Sequence, residues 1–200
     1  MPRSPDAARA ALLDAGERLF AERGVDAVSA NEIIRTAGLR NKSAVDYHFG
    51  GKEQLLTAVL NRHQHRIDRA RVELMDEIDS HPQPALRDCA RALVEPLAQL
   101  LDDPNGGAHY LRIQAALVAT RGLPPQSVRR GGTDRLIRKI AQLTGPVDPA
   151  RARARDNLIA TLVLHGLADA ARRPALRRHQ QSVYVEALID ATVAILESVR

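Results

Sequence analysis

Apolar residues recur along this chain with the 3.6-residue period of amphipathic helices. In the first such stretch Ala8, Leu12, Ala15 and Leu19 form a stripe that Leu13 and Phe20 widen. Ser4-Pro5-Asp6 ahead of it offers a side-chain cap, a proline at the first helical position and an acid near the positive end of the helix dipole. Arg23-Gly24 closes the helix, glycine supplying the left-handed position. Ser29-Ala30-Asn31-Glu32 then fits a capping box, with Val28 and Ile33 as its hydrophobic staple. This second helix is short and ends near Thr36-Ala37, because Gly38 stops it. A third is predicted across Arg40 to Phe49, with Gly50-Gly51 as its end.

Two short helices joined by Ala37-Gly38-Leu39 predict a helix-turn-helix, whose second helix lies in a DNA major groove. Projected at about 100° per residue, Ala44, Val45, His48 and Phe49 share the packing side. Arg40, Lys42, Ser43, Asp46 and Tyr47 fall opposite, and Asn41 is a candidate N-cap. Arg40 and Lys42 suit guanine or phosphate, and Ser43 a base edge or phosphate. Tyr47 suits a positioning contact to a phosphate. Asp46 fits only by accepting from a cytosine amino group or by pairing with Arg40 or Lys42. Gly51-Lys52-Glu53 opens the next helix, whose N-terminus and Lys52 are predicted to meet a phosphate. Ser29 places the second helix's N-terminus at the backbone in the same way. The candidate DNA-contacting set is Ser29, Arg40, Lys42, Ser43, Asp46, Tyr47, His48 and Lys52.

The rest of the pattern is helical throughout. Lys52 to about Asp79 forms one long helix, broken at His81-Pro82-Gln83-Pro84. A helix over 85–101 contains Pro96, which is expected to kink or locally open it. Asp102 to Gly107 reads as a turn, and Tyr110 to Thr120 as a buried helix. After the Gly122-Leu-Pro-Pro break a helix near 126–142 follows. The last two helices, about 149–171 and 175–199, carry apolar residues on more than one face. A second apolar face implies a partner, so a two-fold four-helix interface is expected.

Composition agrees with an all-α chain. Aromatics are 2% of its 200 residues and Trp is absent, which disfavours sheets. Ala, Leu and Arg, strong helix formers, dominate. The formal net charge of +5 gathers after residue 120, where clusters such as Arg151/Arg153/Arg155 read as solvated helix faces. Bulk charge therefore does not identify a DNA binder; the local pattern around residues 35–52 does. No run of about 18 apolar residues suggests a membrane span, and the beginning of the chain lacks a signal-peptide stretch, so a cytoplasmic location is expected.

Candidate chemistry elsewhere is sparse. His63 and His65 lie on different sides of a helix, which reads as surface histidine rather than metal site. Cys89, the single cysteine, reads as a small buried hydrophobe. There is no Walker loop, nucleophile elbow, zinc-protease motif or dinucleotide fingerprint, so neither an enzyme nor a cofactor is expected. His109, Tyr110, Arg112 and Gln114, with His165 on a later helix, are the candidate effector-binding polar groups.

The stretch from Leu12 to Val59, including LFAERGVDAVSANEIIRTAGL and YHFGGKEQLLTAV, resembles the N-terminal domain of the tetracycline-repressor (TetR) family. The resemblance implies an N-terminal three-helix DNA-binding domain over 1–55. It also implies a helical effector-binding and dimerisation domain over 56–200. The segment LRNKSAVDYHF is one residue longer than the commonest family spacing and is similar to a branch with Arg-Asn-x-Ser-Ala-Val-x-Tyr-His-Phe. Tyr47 and Lys52 match the family's phosphate-contacting tyrosine and lysine, while base-reading positions ahead of Val45 carry over poorly, because the extra residue alters the helix entry. The expected partners are a double-stranded DNA operator, an unidentified small-molecule effector and a second copy of the chain, with no membrane. A helical adaptor whose head binds protein instead of DNA is the alternative.

Overall fold

The computed structural model describes residues 4–123, 131–173 and 178–198. Every regular element among them is helical: α1 (Pro5–Arg23), α2 (Ala30–Thr36), α3 (Ala44–Phe49), α4 (Lys52–Ser80), α5 (Leu86–Ala98), α6 (Gly107–Arg121), α7 (Gly131–Thr144), α8 (Pro149–Ala170) and α9 (Arg178–Glu197). The expected first residues of α7, the start of α9 and the last two residues of the chain lie outside the described residues. No helix among the described residues is long and apolar enough to cross a membrane.

Local sequence explains most boundaries. Ser4 Oγ accepts the Ala7 amide, with Pro5 at the first helical position. Ser29 Oγ accepts the Glu32 amide at 3.2 Å, as the capping box requires. The Glu32 carboxylate meanwhile pairs with Arg23 of α1. Val28 and Ile33, the staple pair, are both buried.

α1 to α3 and the first turns of α4 close around one core, in which Leu12, Phe20, Ile33, Val45, Leu55 and Val59 are almost fully buried. A second core in the body joins α4 to α9. The expected division after residue 55 falls within α4 and within the head's own core, which extends to Val59 and takes in Ile113 of α6. Two helices therefore belong to both halves. α4, about 43 Å long at 1.5 Å per residue, runs from the head into the body. α6 packs on α1 of the head and on α8 of the body.

Polar joints reinforce that junction. Glu17 of α1 is buried and accepts from Arg62 of α4 at 2.6 Å and faces His63 Nε2 at 3.1 Å. His63 Nδ1 lies 3.4 Å from Asp103 in the turn before α6. His63 is therefore buried, not a surface histidine as expected. It falls on the α4 face that meets two other elements, a tertiary fact that its spacing from His65 does not encode. At the far end of α6, Arg121 bridges Glu53 and Asp26 of the head, each at 3.0 Å.

Pro96 stays inside α5, but the helix tightens into a 3₁₀ turn at Gln99–Asp102 soon after it. A proline has no amide to give the carbonyl four residues earlier, here Ala92. Arg71 of α4 supplies the missing donor, its Nε lying 3.0 Å from the Ala92 oxygen. Arg155 is a further correction: it is buried, not part of a solvated face, and its Nε and Nη2 hold Asp156. Cys89 is fully buried, and burial pushes its thiol up to about 11. Reactivity follows the thiolate. Iodoacetamide at pH 8 should thus label native Cys89 at least about a hundredfold more slowly than the urea-unfolded chain. Equal rates would place the thiol at the surface.

Candidate nucleic-acid interface

The turn between α2 and α3 is specified residue by residue. The Leu39 amide donates to the Ile34 carbonyl and the Gly38 amide to the Arg35 carbonyl, both at 3.0 Å. These two bonds make a Schellman ending, which needs a left-handed residue; Gly38 provides it at φ +70°. Leu39 and Ile34 both join the head core.

α3 is shorter than the sequence pattern predicts. It begins at Ala44, so Arg40, Lys42 and Ser43 stand on the segment leading into it and not on its outer face. Asn41 is the cause. Its Oδ1 accepts the Ser43 amide at 3.0 Å and its carbonyl accepts the Ala44 amide at 3.1 Å. Asparagine closes such local turns in competition with helix. Asn41 therefore caps this turn, while Ser43 occupies the N-cap position without a side-chain bond. At the other end Gly50, at φ +83°, receives the chain in the left-handed region before Gly51 opens α4.

The sidedness agrees with the projection. Ala44 and Val45 are buried, His48 and Phe49 are half-buried, and Arg40, Lys42, Ser43, Asp46 and Tyr47 are exposed. Tyr47 is 77% exposed, its ring meeting the edge of His48. No ion pair forms between Asp46 and Arg40 or Lys42 among the described residues, so both cations remain available. Arg9 of α1, absent from the expected set, sits over the Phe49 ring at 4.8 Å and adds a cation beside the end of α3. Its position depends on how α1 crosses α3, which local spacing does not show.

Lys52, an expected phosphate contact, is engaged within the protein. Its ammonium donates to the Val25 carbonyl at 3.1 Å and to the Val28 carbonyl at 3.0 Å. It thereby ties the start of α4 to the α1–α2 loop and to the base of Ser29, the N-cap of α2. Two of its three donors are spent inside the protein.

The expected effector residues do not converge. His109 lines a polar cleft of about 880 Å³ between head and body, with Glu17, Arg62, His63 and Asp103. Tyr110 is buried in the body core, its hydroxyl accepting from Gln114 Nε2 at 2.9 Å. Arg112 is half-buried, and its Nε has no hydrogen-bond partner among the described residues. His165 is exposed on α8. A separate apolar cavity of about 170 Å³ lies among α5, α7 and α8.

A three-helix head with a Schellman turn and an exposed cationic approach to α3 defines a helix-turn-helix protein. Residues 12–59 match the profile described as "Bacterial regulatory proteins, tetR family". An HTH-type transcriptional regulator of Mycobacterium tuberculosis (strain H37Rv) is 30% identical over 150 residues, covering 72% of this chain and 66% of that protein, just under two thirds of its length. Among solved structures, a putative tetR family regulator from Shewanella sp. PV-4 superposes with a TM-score of 0.58 at 20% identity, over 94% of this chain and 98% of that one. NalD of Pseudomonas aeruginosa, described as the secondary repressor of the MexAB-OprM multidrug efflux pump, has a TM-score of 0.56 at 24% identity, covering 94% and 95%. The chain belongs to the TetR family of bacterial transcriptional regulators.

Proposed function

We propose that this protein is a homodimeric, ligand-responsive repressor that acts by binding a pseudo-palindromic operator, and not by catalysis. The observation that carries the reading is the outward, exposed set of Arg40, Lys42 and Tyr47 beside a buried Ala44 and Val45. Arg40, Lys42 and Ser43 lead into the major groove, and Tyr47 and Ser29 meet phosphates. Asp46 accepts from a cytosine amino group, and His48 supports the Tyr47 ring. Two such heads read half-sites about one helical turn apart. An effector in the body acts only by favouring one head separation over another.

The partner in the dimer is a second copy docked on α8 and α9. Leu158 is 60% and Val183 57% exposed, the most open large aliphatic side chains among the described residues. Thr161, Ala187 and Ala194 continue that surface with small side chains, which suits close packing of two helix pairs across a two-fold axis.

Fluorescence anisotropy with DNA from the neighbouring intergenic region tests the reading. Binding should be sequence-selective and should weaken steeply with salt. Lys42→Ala should cost about tenfold in affinity for the preferred site and narrow the margin over mismatched sites, as expected when a base contact is lost. Loss of affinity with the margin unchanged would make Lys42 a phosphate contact. No selective binding at all would favour a head that meets protein.

A further inference from the structure

Arg9 is a cation of the head that the head does not use to neutralise any charge of its own. It is exposed on α1, and its guanidinium carbon lies 4.8 Å from the centre of the Phe49 ring. That is inside the roughly 6 Å over which the face of a ring attracts a cation. Among the described residues Arg9 makes no ion pair and no hydrogen bond. Its five N–H donors are therefore unused, while the ring restrains the planar group to one place. A cation held in position with its donors open is suited to an anion arriving from outside.

The place is the edge of α3. Phe49 is the last residue of that helix and is half-buried, whereas Asp46 and Tyr47 are exposed. At about 100° per residue, Phe49 lies about 60° round the helix from Asp46 and about 160° from Tyr47. Phe49 and Tyr47 thus mark the two borders of the exposed side. A major groove is about 12 Å wide, and a helix with its side chains is about 10–12 Å across. With the exposed side of α3 turned into the groove, a sugar-phosphate wall runs along each border. Tyr47 then meets one wall, and Arg9, laid on Phe49, meets the other. The Phe49 border also carries the Asp46 carboxylate, whose repulsion of phosphate a cation there offsets. Lys52 does not supply that cation, because Val25 and Val28 hold it.

We propose that Arg9 is a further DNA-positioning residue, its guanidinium contacting a backbone phosphate on the wall opposite Tyr47. The contact sets how α3 sits across the groove and reads no base. The proposal rests on the head binding DNA and adds to that reading a contact from α1, outside the helix-turn-helix itself.

Fluorescence anisotropy with the full-length protein tests it on two labelled duplexes of equal length. One comes from the neighbouring intergenic region, and the other has the same bases in scrambled order. Each phosphate contact contributes about 0.9 to the slope of log affinity against log salt. Arg9→Gln should therefore flatten the slope by about 0.9 for each head bound, and should weaken both duplexes by the same factor. Arg9→Lys, which keeps the charge, should retain the slope. Arg18→Gln is the control. It removes the same charge from α1, but nine residues on and about 180° round the helix, where Arg18 lines the cleft between head and body. Its slope should equal that of the unsubstituted protein. An unchanged slope for Arg9→Gln, even with a lowered Tm, would make the stacking purely structural and overturn the proposal. Equal flattening by Arg18→Gln, loss of the slope in Arg9→Lys, or weakening confined to the intergenic duplex would overturn it too. Should the unsubstituted protein bind neither duplex, the DNA reading itself fails, a result distinct from any difference between variants.

Discussion

Lys52→Met is expected to lower the stability of the protein by about 3 kcal/mol, since two charge-assisted hydrogen bonds of roughly 1.5–3 kcal/mol each share one ammonium. Methionine fills similar space but leaves the Val25 and Val28 carbonyls without their donor. In a domain of this size that loss lowers Tm by roughly 6–12 °C. DNA affinity should fall as well, because the loop carrying Ser29 and the start of α2 is no longer fixed. The salt dependence should keep its slope. A lysine on a phosphate releases counterions, and its removal reduces the slope by about one. Thermal unfolding and anisotropy at four salt concentrations therefore separate the two roles. An unchanged Tm with a shallower slope would return Lys52 to the DNA backbone.

Leu158→Glu should convert the protein to monomers and abolish tight operator binding. Burying a leucine contributes about 1.5–3 kcal/mol, and two-fold symmetry counts each substitution twice. Two carboxylates would also have to be desolvated where α8 meets its mate. Sedimentation velocity at micromolar concentration should show a single species near the 21.9 kDa of one chain. Its circular dichroism should match the unsubstituted protein, because Leu158 is 60% exposed within one chain and carries little of its core. A variant that still sediments as a dimer would move the interface away from α8 and α9.

Local rules carried much of the head into view. Ser4, Ser29, Gly24, Gly38 and Gly50 each act through a bond or a dihedral within a few residues, and each stands where the pattern places it. The buried Ala44 and Val45 and the open Tyr47 follow from helical projection alone. What escaped was set by distant partners or by competition between local motifs. Asn41, read as an N-cap, closes a turn instead, and α3 starts later for it. Lys52 looks like a free cation until the α1–α2 loop folds over it. His63 and Arg155 look like surface residues until α1 and the body's core enclose them, and His165 looks interior until α8 turns it outward. Arg71 gave no local signal. Pro96, twenty-five positions away, is the one clue to it, and only the packing of α4 on α5 connects the two.

The continuity of α4 has a geometric outcome. As one unbroken rod of about 43 Å, it magnifies a tilt of about 5° at its body end into a shift of roughly 4 Å at its other extremity. That distance is comparable with the rise of one base pair, about 3.4 Å. A rearrangement too slight to disturb side-chain packing around Met75 would suffice to carry a reading head out of step with its half-site.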